Sequence, residues 1–373
     1  MPPLSFLLIG TVATLLLMSI ELVSARVRGT QLYDFGDTLT NVAGIGFEHV
    51  FMVVAAAPVY VIYTAMFRHR IWRSPPYWIA VLLAFLLVDL GFYVWHRMSH
   101  RVSIFWFGHA VHHTSEEFNV SVAIRASGWA VFSQRFFFLP MALLGVPIEL
   151  VVLADGFSNL YTLWVHTRAV GKLGVLEGVL VTPSNHRVHH ARNPEYLDKN
   201  FGAILIVWDR LFGTHAAETD KAPPVFGLRH PFASHNIAWA RFFFLFEIAE
   251  RARRARGLRA KLLAPFRPPE WDPDGDHDVT SAAVAKAPPR IAATGAARGY
   301  AIFQHVLMSA FVVAFVIRGE TLTTGERVLV ALWLWASLGV MGALLDARAW
   351  APKAEAIRWA VALAGVALVH FRG

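Results

Sequence analysis

Apolar stretches with few or no charges alternate with polar and basic segments along this chain of 373 residues. They cover residues 1–20, 47–67, 77–95, 136–153 (continuing toward residue 164), 301–317, 328–345 and, more weakly, 359–371. About 20 apolar residues of helix cross the hydrocarbon core of a bilayer. The pattern therefore predicts an all-α integral membrane protein built as a transmembrane helix bundle.

The composition agrees with this prediction. Hydrophobic residues make up 56% of the chain and charged residues 16%, against about a quarter charged in soluble domains. The first stretch opens with Met-Pro-Pro-Leu-Ser, without basic residues, and no clear cleavage site follows it. We therefore expect it to remain as a membrane anchor rather than to be removed as a signal peptide. The absence of cysteine excludes disulfides and thiolate metal sites.

The net charge of +8 is concentrated after Arg241. Residues 236–263 join an aromatic half to an arginine-rich half, which favours a helix lying in the membrane interface. The alternative is an ordinary solvated helix packed on the domain. In so apolar a chain, we expect the arginines to meet anionic lipid headgroups and not nucleic acid. Residues 264–298, rich in Pro, Asp, Ala and Gly, are expected to form a linker.

Three tight clusters of histidine are the main chemical feature. They read His-Arg-Met-Ser-His at 96–100, His-Ala-Val-His-His at 109–113 and His-Arg-Val-His-His at 186–190. Helix positions three and four apart share a face, so each cluster presents several imidazoles to one place. Imidazole binds iron, copper, zinc and nickel, and a single ion usually takes three or four protein ligands. The clusters therefore predict a two-metal site held by His96, His100, His109, His112, His113, His186, His189 and His190.

Asp89 lies seven residues before His96 and on roughly the same helix face. A carboxylate inside an apolar span is costly and by default marks a functional site. Aspartates often orient a ligand imidazole through its second ring nitrogen, which is the role we expect here. The alternative is that Asp89 only caps or hydrates a helix end.

The order HxxxH, HxxHH, HxxHH resembles the membrane-bound fatty acid hydroxylase/sterol desaturase superfamily. The resemblance extends to the sequences VDLGFYVWHR (residues 88–97), HHTSEEFN (112–119), TPSNHRVHH (182–190), DKNFG (198–202) and WDRLFGT (208–214). It covers residues 45–270 approximately. Within the superfamily, the chain looks closest to the alkylglycerol monooxygenase branch, whose members similarly carry further C-terminal spans.

This resemblance implies a cytosol-facing, non-haem diiron site whose ligands are the eight clustered histidines. It adds His166, in the sequence Trp-Val-His-Thr, where members of the superfamily carry a further histidine ligand. It implies that Glu116 or Glu117 acts beside the ligands or bridges the metals; the alternative is a solvated helix start. Asn185 stands where many relatives have histidine, and asparagine is a poor iron ligand.

The resemblance also implies oxidation of unactivated C–H bonds. Two iron ions, O₂ as co-substrate and two external electrons would hydroxylate or desaturate a membrane lipid, and hydroxylation beside an ether oxygen would cleave an ether lipid through a hemiacetal. The sequence shows no fused haem domain and no GxGxxG fingerprint, so the donor is expected to be separate: a reductase, cytochrome, ferredoxin or reduced pterin. A lipid tail would reach the metals past aromatic residues near Trp129, Phe132 and 136–138, which are otherwise lipid-facing packing.

Two other classes of protein use histidine-rich sites. A membrane dimetal hydrolase would activate water and usually has more carboxylate ligands. A metal transporter would line a pathway through midplane helices, whereas these clusters lie at helix ends and in a polar stretch. We therefore prefer the oxygenase.

Four regions follow from these patterns: N-terminal transmembrane segments (1–75), a fatty acid hydroxylase/sterol desaturase catalytic domain (76–235), the basic interfacial helix with its linker (236–298) and C-terminal transmembrane segments (299–373). The basic region after Arg168 favours a cytosolic helical cap that carries all three clusters. Basic residues at both ends of stretch 77–95 conflict with the positive-inside rule. Stretch 47–67 is therefore either re-entrant or followed by a loop that violates the rule.

Overall fold

The computed structural model describes residues 2–275, 294–318 and 322–372, with side chains for 9–44, 58–275, 294–315, 317 and 322–365. These residues form α-helices joined by loops and short 3₁₀ turns. The helices are α1 (Pro2–Val27), α2 (Phe35–Arg68), α3 (Tyr77–Arg101), α4 (Ser103–His109), α5 (Gly128–Phe136), α6 (Pro140–Leu143), α7 (Ile148–Val165), α8 (Pro183–His190), α9 (Val207–Leu211), α10 (Ile237–Arg254), α11 (Leu258–Leu263), α12 (Gly295–Arg318), α13 (Thr324–Leu345) and α14 (Ala351–Arg372).

Five described helices are long and apolar enough to cross a membrane, which makes this a multi-pass membrane protein. The candidate spans are Ile9–Val27, Tyr77–Arg101, Ile148–Val165, Gly295–Phe315 and Thr324–Leu345. Helix α2 runs unbroken through the predicted stretch 47–67, and α14 covers the weaker stretch 359–371. The side chains of residues 45–57 and 366–372 lie outside the described set.

The prediction of one span over residues 136–153 is wrong. The chain ends α5 at Phe136, forms the single turn α6 and starts α7 at Ile148. Gly145 adopts a φ of +79°, and a Cβ there would lie 2.0 Å from the backbone oxygen of Trp72. Pro147 then precedes the first residue of α7 and supplies no N–H to a continuing helix. The span is therefore Ile148–Val165, and the residues before it fold back as short helices.

Small side chains allow α3 to pack closely in the transmembrane core. Ala80 and Ala84 are buried with Val88 in a cluster that also contains residues of α6 and α7. Farther along α3, a Cβ on Gly91 would lie 3.0 Å from the ring of Phe138. This packing fixes the end of α3 that carries His96.

The helix predicted over residues 236–263 is present as α10 and α11. One face of α10 is buried against α4 and α13, through Phe243, Phe244 and Ile248, while Phe246 is 60% exposed. Its C-terminal Arg254 pairs with Asp272 and Asp274. The helix is thus docked on the catalytic region; its place in a membrane interface remains a prediction. Of the predicted linker, residues 276–293 lie outside the described residues.

Candidate metal centre

Nine imidazoles converge into two adjacent groups, and they are the nine histidines expected from the sequence. Within each group, one nitrogen from every ring lies within 4.8 Å of the others. The first group is His96, His100, His109, His113 and His189; the second is His112, His166, His186 and His190. Both groups consist of imidazoles alone.

Four separate elements supply these rings. Helix α3 contributes the pair at 96 and 100, and α4 with the 3₁₀ turn after it contributes 109, 112 and 113. His166 directly follows the last residue of α7. Helix α8 contributes the last three; it begins with Pro183 and is capped by the side chain of Thr182, which accepts from the backbone N–H of Asn185.

Backbone carbonyls fix the orientation of at least four rings. The Nδ1 atoms of His96 and His189 lie 2.8 and 3.0 Å from the carbonyl oxygens of Phe201 and Lys199. Those of His112 and His166 lie 3.2 and 2.6 Å from the carbonyl oxygens of Arg125 and Thr162. A carbonyl only accepts, so in each case Nδ1 carries the proton and Nε2 is left as a bare lone pair.

The tautomers of His112 and His166 suit a cation between them. Both Nε2 atoms are lone pairs, yet they lie only 3.2 Å apart in the protein interior. Two facing lone pairs repel in a medium of low polarity, and a bound cation converts this repulsion into attraction. The Nε2 atoms of His100 and His189 are buried without a hydrogen-bond partner, as expected of nitrogens reserved for a metal.

The spacing of the donor atoms also fits metal ions. Imidazole nitrogens about 2.0–2.1 Å from one ion lie about 2.8–3.4 Å from their neighbours around it, for angles of about 90–109° at the ion. The Nε2 of His109 lies 2.9 Å from that of His96 and 3.0 Å from that of His113. In the second group, the Nε2 of His186 lies 2.8 Å from that of His166 and 3.2 Å from that of His190. The residues present therefore fit two metal ions, one in each group.

Burial keeps these imidazoles neutral, which is the form that binds metal. Loss of hydration lowers the pKa of His112 to about 4 and the pKa of His189 to about 3. The same cause, with repulsion from neighbouring rings, lowers the pKa values of His109, His113, His166, His186 and His190 well below the usual range. Protons therefore compete weakly with metal near neutral pH.

Asp89 supports the site indirectly, by holding a loop, and not by orienting a ligand imidazole as expected. Its carboxylate accepts from the backbone N–H groups of Ile204 and Leu205 and from Nε1 of Trp208, at 2.9, 3.2 and 2.8 Å. These donors belong to the loop that follows Phe201, whose carbonyl orients His96. Asp89 thus holds this loop instead of contacting an imidazole.

Asp209 lies in the sequence WDRLFGT (residues 208–214) but was not among the predicted site residues. Asp209 is fully buried and accepts from the backbone N–H groups of Phe201 and Gly202 and from the Thr214 hydroxyl. The available signal was its place in a stretch that carries the family resemblance. It acts on the same carbonyl of Phe201 as Asp89 does.

The remaining expected residues are Glu116, Glu117 and Asn185. Glu117 pairs with Arg168 at 2.6 Å, and Glu116 is partly buried, with its Cγ 3.1 Å from where a Cβ on Gly227 would be. Asn185 donates through Nδ2 to the carbonyls of Glu177 and Leu180, which ties the start of α8 to the preceding loop. Asn185 therefore has a structural role in this chain.

The aromatic residues suggested for lipid access divide into two kinds. Phe138 is buried in the core with α3, while Phe136 is 37% exposed and its ring contacts that of Phe132 edge-on. Trp129 donates from Nε1 to the carbonyl of Ile104. Phe138 is therefore a packing residue, and access along the others remains a prediction.

A helical membrane protein with two groups of buried imidazoles, placed at the ends of helices, fits the class of membrane-bound dimetal enzymes. Comparison with known proteins gives the family. The fatty acid hydroxylase family profile matches residues 81–214. The chain is 36% identical to the alkylglycerol monooxygenase of Danio rerio over 311 residues, which are 82% of this chain and 68% of that protein. It is 35% identical to the alkylglycerol monooxygenase of Homo sapiens over 292 residues, 77% of this chain and 64% of that protein.

A more distant relative is the ornithine lipid hydroxylase OlsE of Rhizobium tropici, 26% identical over 53% of this chain and 61% of the relative. No solved structure matches the chain. The chain belongs to the fatty acid hydroxylase family and is a membrane enzyme of the hydroxylase and monooxygenase type. It spans about two thirds of the length of the two alkylglycerol monooxygenases.

Proposed function

We propose that this protein is an O₂-dependent diiron monooxygenase that hydroxylates an ether lipid at the carbon beside the ether oxygen. The observation that carries the proposal is the pair of all-imidazole groups, in a chain about 35% identical to alkylglycerol monooxygenases over most of its length. The overall reaction takes the lipid, O₂, two electrons and two protons to a hemiacetal and water. The hemiacetal then separates into an aldehyde and an alcohol.

Two iron ions held by the nine histidines would supply O₂ activation and the oxidising power for the C–H bond. The protein positions the ligand rings and excludes water from the site. The carbonyls of Phe201, Lys199, Arg125 and Thr162 each hold one nitrogen of a ligand ring protonated, in four of the nine rings, so that the other nitrogen is free to bind metal. Burial of the rings keeps bulk water from the site, which protects a strong oxidant from side reactions.

Glu116 and Glu117 are the acidic residues that we propose to act beside the ligands. They follow the second histidine box after two intervening residues, Thr114 and Ser115. Burial raises the pKa of Glu117, and its partner Arg168 opposes that rise. Such a carboxyl group is suited to passing protons to the site during the reduction of O₂.

We propose that the site faces the cytosol and that the electron donor is a separate molecule. A reduced pterin, a ferredoxin or a cytochrome has the required chemistry. The orientation rests on the positive-inside rule, with Arg168, Lys172 and the arginines of α10 on the side of the site. These arginines also suit contact with anionic lipid headgroups.

The donor set argues against a dimetal hydrolase. Both groups consist only of imidazoles, whereas metals that activate water for hydrolysis usually have carboxylate ligands as well. The same oxidant could remove a second hydrogen and form an alkene, so the product must be measured.

The test combines metal analysis with a matched pair of lipids. Protein purified without oxygen should contain two irons per chain, and Mössbauer spectra should show a coupled pair that O₂ oxidises. With a chemical or enzymatic electron source, an alkylglycerol should yield fatty aldehyde, while the acylglycerol of equal chain length should not. Tightly held zinc after iron-replete expression, without a response to O₂, would refute the proposal. Alkene or a terminal alcohol in place of aldehyde would refute the ether-lipid assignment alone.

A further inference from the structure

Two buried carboxylates reach the catalytic region from the N-terminal helices, outside the residues that match the family profile. Glu21 lies in α1 and is 4% exposed; Asp37 lies in the first turn of α2 and is 1% exposed. A carboxylate at such a place is costly unless its contacts repay the loss of water. The contacts of both lead to the second histidine group.

Glu21 holds the residue next to His166. Its carboxylate accepts from the hydroxyl of Thr167, from the hydroxyl of Tyr33 and from the backbone N–H of Val120, the last at 2.9 Å. Thr167 is buried and directly follows His166, the first residue after the end of α7. Glu21 therefore fixes the chain at the point where it presents His166.

Asp37 holds the second histidine box through Arg125. The two side chains form an ion pair at 3.0 Å and are 2% and 1% exposed. Arg125 donates from Nε to the carbonyl of Val111 and the hydroxyl of Thr114, at 3.2 and 2.9 Å. These acceptors lie on either side of His112 along the chain.

The same arginine closes a ring around His112. Its own carbonyl accepts from Nδ1 of His112, so its backbone sets the tautomer while its side chain sets the position of the box. Asn41, one turn after Asp37 on α2, adds a further acceptor to Arg125 at 2.8 Å. The position of His112 is thereby fixed relative to α2.

The first group is held in a different way. The carbonyls that orient His96 and His189 belong to Phe201 and Lys199, and the loop carrying them is held by Asp89 and Asp209. All of these residues lie within 81–214. The catalytic domain thus supplies these supports of the first group itself.

We infer that Glu21 and Asp37 are positioning residues for the second metal, acting through His166 and His112. The first and second N-terminal helices are then part of the dimetal site and not only membrane anchors. This inference rests on the proposed dimetal function. It predicts that substitutions 75 or more residues before the supported second-group ligand remove the second metal and leave the first in place.

The chain offers a matched control for Glu21. Glu355 of α14 is also buried, at 8% exposed, and also accepts a tyrosine hydroxyl, that of Tyr300. It pairs with Arg358 inside the C-terminal helices. Glu355→Gln therefore repeats the chemistry of Glu21→Gln without touching a ligand-bearing loop.

The experiment measures iron per chain and the Mössbauer and EPR spectra of Glu21→Gln, Asp37→Asn and Glu355→Gln in the full-length protein. Iron should fall from two to one per chain in the first two variants, with an uncoupled ferric EPR signal from the remaining ion. Glu355→Gln should keep two irons and the coupled spectrum. Retention of two coupled irons in both N-terminal variants, or equal loss of both irons, would overturn the inference.

A gentler pair of variants covers poor folding of the carboxylate variants. Thr167→Val removes the hydroxyl that Glu21 binds, and Thr167→Ser retains it. The valine variant should lose the second iron, and the serine variant should retain it. Identical iron contents in the two variants would overturn the Glu21 part of the inference. If the unmutated protein itself never holds two metals, the proposed function fails, and that result is distinct because it appears without any substitution.

Discussion

Asp89→Asn is the substitution that best tests how the first histidine group is held. One oxygen of Asp89 accepts from Ile204, and the other accepts from Leu205 and from the Trp208 indole. The asparagine oxygen can take the place of the second oxygen and keep two of these bonds. Its NH₂ group then faces the N–H of Ile204, where two donors meet.

The expected cost follows from these contacts. A hydrogen bond to a charged acceptor contributes about 1.5–3 kcal/mol, and a buried donor left without a partner costs a similar amount. Loss of one such bond and weakening of the other two gives about 3 kcal/mol. For a domain of the size of residues 81–214, this corresponds to a fall of roughly 5–10 °C in the unfolding midpoint.

The effect should also reach the metal. Movement of the loop displaces the carbonyl of Phe201, which orients His96, so iron should be lost first from the group that contains His96. The assay is thermal unfolding in detergent together with iron content and Mössbauer spectra. Asp89→Glu serves as the control for charge without the same geometry. An asparagine variant with an unchanged midpoint and both irons would refute this account of Asp89.

Two further predictions test the burial of the site. Burial lowers the pKa of His112 to about 4, against about 6.5 when unfolded, so the unfolded chain binds the proton first. The metal-free protein should therefore lose stability as pH falls from about 6.5 toward 4, by up to about 1.4 kcal/mol per pH unit for each such histidine; an unfolding midpoint constant from pH 7 to 5 would contradict this. Gly108→Ala should destabilise the protein by about 1–3 kcal/mol and lower its iron content, because the new Cβ would lie 2.6 Å from the Trp129 ring and 2.9 Å from a backbone nitrogen. Gly171→Ala, where no atom lies within 4 Å, should leave both measurements unchanged, and equal effects of the two substitutions would refute the packing argument.

The division of the histidine boxes between the two groups follows from helix geometry combined with packing. Successive residues of an α-helix turn by about 100°, so in α8 His186 and His190 face nearly the same way and His189 faces about 60–100° from them. Accordingly, His186 and His190 join the second group and His189 the first. The second box leaves α4 for a 3₁₀ turn, and there His109 and His113 join the first group and His112 the second. The spacing allowed this crossing, but only the approach of α8 to the second box decided which rings share a metal.

The sequence by itself determined the membrane character, most of the spans and the eight clustered candidate ligands, while the ninth, His166, came from the family resemblance. These features are local, since an apolar run of helical length and an i, i+3, i+4 set of imidazoles keep their meaning in any fold. The supports of the ligands were decided only by the tertiary structure. Glu21 binds Thr167, 146 residues away along the chain, and Asp37 binds Arg125, 88 residues away, so the contact of Arg125 with the second box depends on α2. A buried charge is tolerated only where polar partners replace the water that it loses. Those partners come together only when the helices pack.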